Sequence, residues 1–450
     1  MLIRGVALRG AIAINVITMI GIGPLITVPL VLGALHGPYS LAGWLAGALL
    51  ALCDGLVWAE LGSLFPGSGG TYGFLRSVFG ARRWGALLAF LFVWQTIFYA
   101  PLIQASGYVG FANYAAYLVP WVGTSPQHVQ IVAIGVGVLT VAALYRGIGS
   151  IAGIGRVLAV AAIATLLIVI VAAFAHFAPA QAFALPRDGF GGGLAAGFGQ
   201  ALVIAMYDYV GYGASSAIGD EVIDPAKTLP RSIVVSILLV GALYLTMQVG
   251  ILGAVPWRDV IPAANGTLPP LGAHIASSLV ERAFGGVAAT IATLLVLTTA
   301  FASVFGNLLA FSRIPFAAAV DGAFLRPFAR VDAVHRFPNV SLLTIGALAL
   351  PASLFTLDQI INALTAGIVL VQPIAQIFAL FALRRRGVRA PYRMWLFPLP
   401  ALVALGGWTY LFWSSGAGAM LFGTVTVAAG VAVFAVRAAK LREWPFAVSG

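Results

Sequence analysis

Two short stretches of this chain carry residues that an apolar helix rarely holds. One is Asn15-Val-Ile-Thr-Met-Ile-Gly-Ile-Gly-Pro-Leu-Ile-Thr27, with Gly21, Gly23 and Pro24 at its centre. The other is Ala205-Met-Tyr-Asp-Tyr-Val-Gly-Tyr-Gly-Ala-Ser-Ser216, with Gly211 and Gly213 beside Asp208. Proline removes a backbone donor and clashes with the preceding turn, and glycine lowers the cost of leaving helical geometry. Both stretches therefore read as helices that unwind and free backbone N–H and C=O groups for binding. Bond-making chemistry finds no support. Cys53 is the single cysteine, and the histidines His36, His128, His176, His274 and His335 are scattered, with no two at helical ligand spacing. No metal site and no cofactor is expected. An intramembrane enzyme would need a Ser–His pairing, paired acids or a nucleotide loop, and none appears.

The elements that must hold these stretches are membrane helices. Of 450 residues 61% are hydrophobic and 8% charged, against about 25% charged in a soluble protein. The mean hydropathy is +1.03. Apolar residues fall into runs of roughly 20, the length that crosses about 30 Å of hydrocarbon. Twelve runs are read, at 9–35, 41–63, 84–118, 126–145, 152–178, 194–219, 231–255, 286–318, 340–356, 358–383, 395–414 and 417–438. The connectors leave no room for a separate soluble domain. The first run is too long for the core of a cleavable signal peptide.

The net charge of +11 fits this layout better than it fits nucleic acid. With the N-terminus in the cytoplasm, 21 Lys and Arg fall inside and only Arg187, Arg258 and Arg282 fall outside. That is the positive-inside bias, and it puts both termini in the cytoplasm with membrane lipids, not nucleic acid, as the surface partner. The two interrupted runs are the first and the sixth, each broken about 15 residues in. Unwound backbone at membrane depth is tolerated only where it lines a buried or wet cavity. Breaks at matching positions in two halves point to inverted repeats around a midplane site. The expected fold is all-α and integral to the membrane, with twelve transmembrane helices in a five-plus-five inverted repeat and helices 1 and 6 broken. Residues 1–180 form the first repeat, 190–385 the second, and 386–450 carry two further spans and a short tail.

Five segments then resemble one family. Met19-Ile-Gly-Ile-Gly-Pro24 resembles its Gly-x-Gly break, and Glu60-Leu-Gly-Ser-Leu-Phe-Pro-Gly-Ser-Gly-Gly-Thr-Tyr72 its Glu…Pro-x-x-Gly-Gly-x-Tyr signature. Asp220-Glu-Val-Ile-Asp-Pro-Ala-Lys-Thr-Leu-Pro-Arg231 is similar to its Glu-x-x-Asn-Pro…Pro stretch. Ser312-Arg…Asp321-Gly…Arg326-Pro327 resembles the loop before span 9, and Arg389-Ala-Pro-Tyr-Arg393 the start of span 11. In order and over nearly the whole chain, they resemble the amino acid–polyamine–organocation superfamily of permeases.

The resemblance implies a secondary transporter in a bacterial cytoplasmic membrane that moves an amino acid by alternating access. A polyamine or other organic cation is the alternative solute. It implies a substrate carboxylate on the amides around Gly21, Ile22 and Gly23, flanked by Met19 and Ile20. It also implies an ammonium on carbonyls near Tyr207 and Val210, beside Gly211. A half-helix N-terminus suits an anion, and an unwound C-terminal end suits a cation. Tyr207 stands where the family places an aromatic gate; the plainer reading is a packing aromatic.

Many proton-coupled members have a lysine where this chain has Thr165. Thr165 and Ser303 carry the hard oxygens that sodium coupling would use, although a lone helical hydroxyl more often bonds its own backbone. Asn307, one turn beyond Ser303, would reach the solute by a hydrogen bond. Asp208 has three open readings: paired by a cationic group of the solute, carrying a proton that couples transport, or capping the freed amides. Asp54 is expected as a buried hydrogen-bonded partner rather than an ion relay. Glu60 reads either as closing the inner gate with an arginine such as Arg76 or Arg156 or as a solvated helix end. Gln95, Gln104, Gln372 and Gln376 either line the pocket or join helices, and Pro101 is expected to kink its span.

Overall fold

The structure is a computed structural model that describes residues 5–66, 69–145, 151–186, 193–263, 268–332 and 337–446, without the side chains of 151–160, 193–196 and 220. Arg156, weighed as a gate partner, lies outside the described side chains; so do Arg4, Arg146, Arg187 and Arg336 of the charge count and Gly67 and Ser68 of the second motif.

The described residues are helical throughout, with one isolated backbone bridge between Val6 and Val222. Helices α1 (Leu8–Met19) and α2 (Gly23–Leu35) meet at a bend of 51°. Pro24 lies in the first turn of α2, where its missing N–H costs nothing and its fixed φ suits the turn. Next come α3 (Ser40–Leu64), the short α4 (Thr71–Phe79) and α5 (Trp84–Leu118), which runs on as one helix through Pro101. Helices α6 (Pro126–Tyr145), α7 (Ile151–Ala175) and the turn α8 (Pro179–Ala182) lead to α9 (Gly193–Tyr209) and the single turn α10 (Ala214–Ala217). Beyond lie α11 (Pro225–Ala254), the turn α12 (Pro270–Ala273), α13 (Ile275–Phe284), α14 (Gly286–Val320) and α15 (Asn339–Ala352). Helices α16 (Leu357–Val369), α17 (Gln372–Arg385), α18 (Leu399–Ser414) and α19 (Ala417–Leu441) complete the chain.

Among the described residues, seven helical stretches are long and apolar enough to cross a membrane, and the α1–α2 pair makes an eighth. The chain is an all-α, multi-pass membrane protein. Apolar side chains on the outside agree: Leu139 on α6 is 58% exposed, a state that only lipid makes favourable. The remaining predicted runs are also helical: α7 has 25 residues, and α9, α15 and α18 are shorter. α15 has 14 residues and α18 has 16, against the roughly 20 of an upright span.

The breaks sit in a polar-seamed core. α11 packs along α3 and α1, α2 along α9, and α14 along α5. Trp44 of α3, Tyr209 of α9 and Tyr244 of α11 are all fully buried and meet with ring centroids 5.4 Å apart for both contacts of Tyr244. Such edge contacts add about 0.5–1.5 kcal/mol each beyond burial. Asp54 is the buried hydrogen-bonded partner expected of it: it accepts from Tyr212 Oη at 2.6 Å and from Trp408 Nε1 at 3.0 Å. Gln104 spans the Val304 carbonyl and the Leu308 amide of α14, and Gln376 donates to Thr71 at 2.6 Å, so both join helices.

The arginine that meets Glu60 is Arg384, and Glu60 is not a solvated helix end. It is buried, and its Oε2 accepts from Arg384 Nη2 at 2.7 Å and from the Met394 amide at 2.7 Å. The end of α17 lies against α3, whereas α4 carries Arg76 away to the end of α14. There Arg76 pairs with Asp321 at 3.6 Å and bonds Tyr72. Burial pushes the Tyr72 phenol up to about 12, so it remains a neutral hydroxyl and donates to Asp321 at 3.2 Å.

Candidate substrate-binding site

The two breaks meet. Gly211 has φ +130°, a conformation that residues with a Cβ rarely adopt, and a Cβ there would lie 2.9 Å from the Thr18 carbonyl carbon and 3.0 Å from the Met19 nitrogen. Glycine thus serves twice: it turns the chain after α9 and lets that turn close on the end of α1. Tyr244 Oη ties the pair, donating to the Met19 carbonyl at 2.9 Å and to the Asp208 carbonyl at 3.3 Å. Asn15 Oδ1 accepts from the Ser215 amide at 2.8 Å, joining α1 to α10.

Unwinding leaves backbone groups free on both sides. Among the described residues, the Ile22 and Gly23 amides donate to no protein acceptor, and the Tyr207 and Val210 carbonyls accept no protein hydrogen bond. The first pair opens α2 and suits an anion; the second pair closes α9 and suits a cation.

The predicted residues mostly gather here. A Cβ on Gly21 would lie 3.0 Å from Ser303 Oγ, which brings α14 to the first break. Asn307 Nδ2 reaches the same hydroxyl at 3.5 Å, a weak contact. A Cβ on Gly23 would collide with Asp208 Oδ1 and lie 3.2 Å from the Tyr207 ring. Tyr207 Oη exchanges a hydrogen bond of 2.8 Å with Ser106 Oγ of α5. Ile20 is buried, and Ile22 turns its side chain toward Gly110 of α5.

Thr165 faces α14 one turn before Ser303, at Thr299. Its hydroxyl donates to the Ala161 carbonyl at 2.7 Å, with Thr299 Oγ1 at 3.5 Å. It satisfies its own helix, as a lone threonine often does.

Asp208 does not cap the freed amides. It is 2% exposed, its Oδ2 accepts from Thr27 Oγ1 at 2.5 Å, and its Oδ1 has no protein partner. Sequence reasoning passed over Thr27, Ser106 and Tyr244 as contributors. Thr27 lies in the first interrupted stretch, but nothing local marks Ser106, or Tyr244 among 13 tyrosines.

The amino acid permease family model matches residues 8–444. The chain belongs to the amino acid permease family. The superfamily resemblance read from the five motifs is borne out, and the family is one of transporters, not enzymes. The permease is 25% identical over 378 residues to the serine/threonine exchanger SteT of Bacillus subtilis, covering 82% of this chain and 81% of that protein. It is 26% identical over 417 residues to the branched-chain amino acid permease BcaP of Lactococcus lactis, covering 88% and 86%. To cationic amino acid transporter 4 of Mus musculus it is 24% identical over 379 residues, covering 78% of this chain and 55% of the mouse protein.

Proposed function

We propose that this permease is a secondary active transporter of an amino acid, working by alternating access across a bacterial cytoplasmic membrane, with the solute held where the two breaks meet. The observation that carries this reading is the closure of Gly211 on Thr18 and Met19, which brings together two breaks, one with free N–H groups and one with free carbonyls. An α-amino acid presents one carboxylate and one ammonium, and the site presents one group of each matching kind. Relatives named for serine and threonine, for branched-chain and for cationic amino acids share that head group and differ in the side chain.

In this reading the twelve runs are all spans, 1–180 and 190–385 are the inverted repeats, and both termini are cytoplasmic. The short helices α15 and α18 then cross with help from flanking residues and local thinning of the bilayer. In this reading a coupling ion acts at Asp208 or at the Thr165 hydroxyl, which donates its proton to its own helix and keeps its lone pairs. A second reading, an organic amine as solute, is favoured by the unpaired Oδ1 of Asp208.

Two experiments test the proposal. A melting screen of the purified permease against the twenty amino acids and common polyamines should find ligands that stabilise it. One at a hundred times its Kd adds about 2.7 kcal/mol. A screen without stabilising ligands, together with no uptake into proteoliposomes, overturns the reading. For topology, Arg385→Cys in a Cys53→Ala background should label slowly in intact cells with an impermeant maleimide. Rapid labelling overturns the twelve-span arrangement.

A further inference from the structure

Asp208 is a buried acid beside the breaks that the protein leaves half-satisfied. Thr27 holds Oδ2, while Oδ1 is pressed against Gly23 and bonds nothing. None of the 24 Lys and Arg residues lies in either interrupted stretch. The ion pairs found among the described residues lie elsewhere: Arg384 with Glu60, Arg76 with Asp321, Lys227 with Asp224 and Arg437 with Glu443. A lone carboxylate at this depth is expensive, and such residues mark solute or ion pathways.

Charge balance then narrows the solute. A zwitterion brings no net charge and leaves the filled site at −1. A solute with one net positive charge leaves it neutral. Position argues the same way. Oδ1 abuts the start of α2, so a solute carboxylate on the free Ile22 and Gly23 amides adds a negative charge beside Asp208 that a further positive group of the solute offsets. Around Oδ1 the other groups favour a cation. The Tyr207 ring also lies against Gly23, and the free Tyr207 and Val210 carbonyls belong to the same turn. Ammonium groups are held by aromatic rings and by carbonyl dipoles. Thr27 Oγ1 meets Oδ2 at 2.5 Å, so that oxygen is already engaged and Oδ1 is the one left for the solute.

We propose that Asp208 is a specificity-determining residue whose Oδ1 pairs with an ammonium of the solute, so that the permease selects solutes of net positive charge. Basic amino acids and organic amines share that chemistry. This inference rests on the reading that the solute lies across the two breaks.

The test compares solutes of matched length on the purified wild-type permease: lysine, norleucine and n-pentylamine, by melting shift and by competition for uptake. Lysine, pentylamine or both should bind at least about tenfold more tightly than norleucine, and the stronger of the two identifies the source of the ammonium. Asp208→Asn should weaken the cationic arm by about 30-fold or more, and Asp208→Glu should retain the preference. If Asp208→Asn does not fold, the wild-type comparison still decides. Norleucine binding as well as both cations overturns the proposal. So does norleucine entering with one proton, with the pH dependence lost in Asp208→Asn, because Asp208 is then a proton carrier. Gly23→Val separates the two levels of the argument. If that variant binds the same solutes as wild type, the site itself is misplaced. If it binds none and wild type prefers norleucine, the site stands and only the charge assignment fails.

Discussion

Gly23→Val is expected to reduce uptake by about tenfold to a hundredfold while the permease still folds and reaches the membrane. The first atom of the new side chain would collide with Asp208 Oδ1 and lie 3.2 Å from the Tyr207 ring. Asp208 cannot swing away freely, because Thr27 holds its other oxygen and the residue is 2% exposed. Overpacking of this kind costs about 1–3 kcal/mol where the surroundings are fixed, and here the added volume fills the space between the breaks. Gly21→Ala should be milder. Its nearest obstacle at 3.0 Å is the Ser303 hydroxyl, the end of a side chain that can rotate. Proteoliposome uptake alongside size-exclusion profiles measures both; a Gly23→Val protein that transports normally places the solute elsewhere.

Arg384→Ala should destabilise the permease by about 3–5 kcal/mol, the cost of stranding a buried charge. Only 4% of the Glu60 side chain and 13% of the Arg384 side chain are exposed, and their contact is 2.7 Å. The guanidinium also lies over the Phe397 ring, 4.8 Å from its centroid, so the variant loses packing as well as charge. Removing both charges separates these effects. The double variant Glu60→Gln with Arg384→Met should recover most of the lost stability, since an apolar replacement of a buried pair is often neutral. A melting profile of Arg384→Ala that matches wild type would mean that water reaches Glu60 and that the pair is a surface contact.

The breaks were legible because their cause is local. Gly21, Gly23 and Pro24, and Gly211 with Gly213, carry their backbone consequences in their own covalent structure. The layout of apolar runs was legible for a similar reason: hydrocarbon imposes its period on the chain directly. What fills the space around the breaks depends on partners distant in sequence. Tyr244 reaches Met19 across 225 positions and Arg384 reaches Glu60 across 324, and no spacing rule links such residues. Proximity in sequence favoured Arg76 for Glu60, yet α4 turns it toward Asp321. The Thr165 hydroxyl donates to the carbonyl of its own helix, a bond that any helical threonine can make and that its spacing to Ser303 does not reveal.

The bridge at Val6 bears on how the start of α1 moves. Gly5 and Val6 amides donate to the Glu221 carbonyl at 2.9 and 3.0 Å, and the Ile223 amide donates back to Val6 at 2.9 Å. These three links fasten the segment before α1 to the segment after α10, and the Asn15–Ser215 bond ties α1 to α10 itself, each link about 1 kcal/mol. A leaf of a double door that is bolted to its neighbour cannot swing alone. In the proposed cycle the inner halves of both interrupted helices would travel as one panel, and a bulky fusion at the amino terminus would load that panel directly, whereas one at the carboxyl terminus would not.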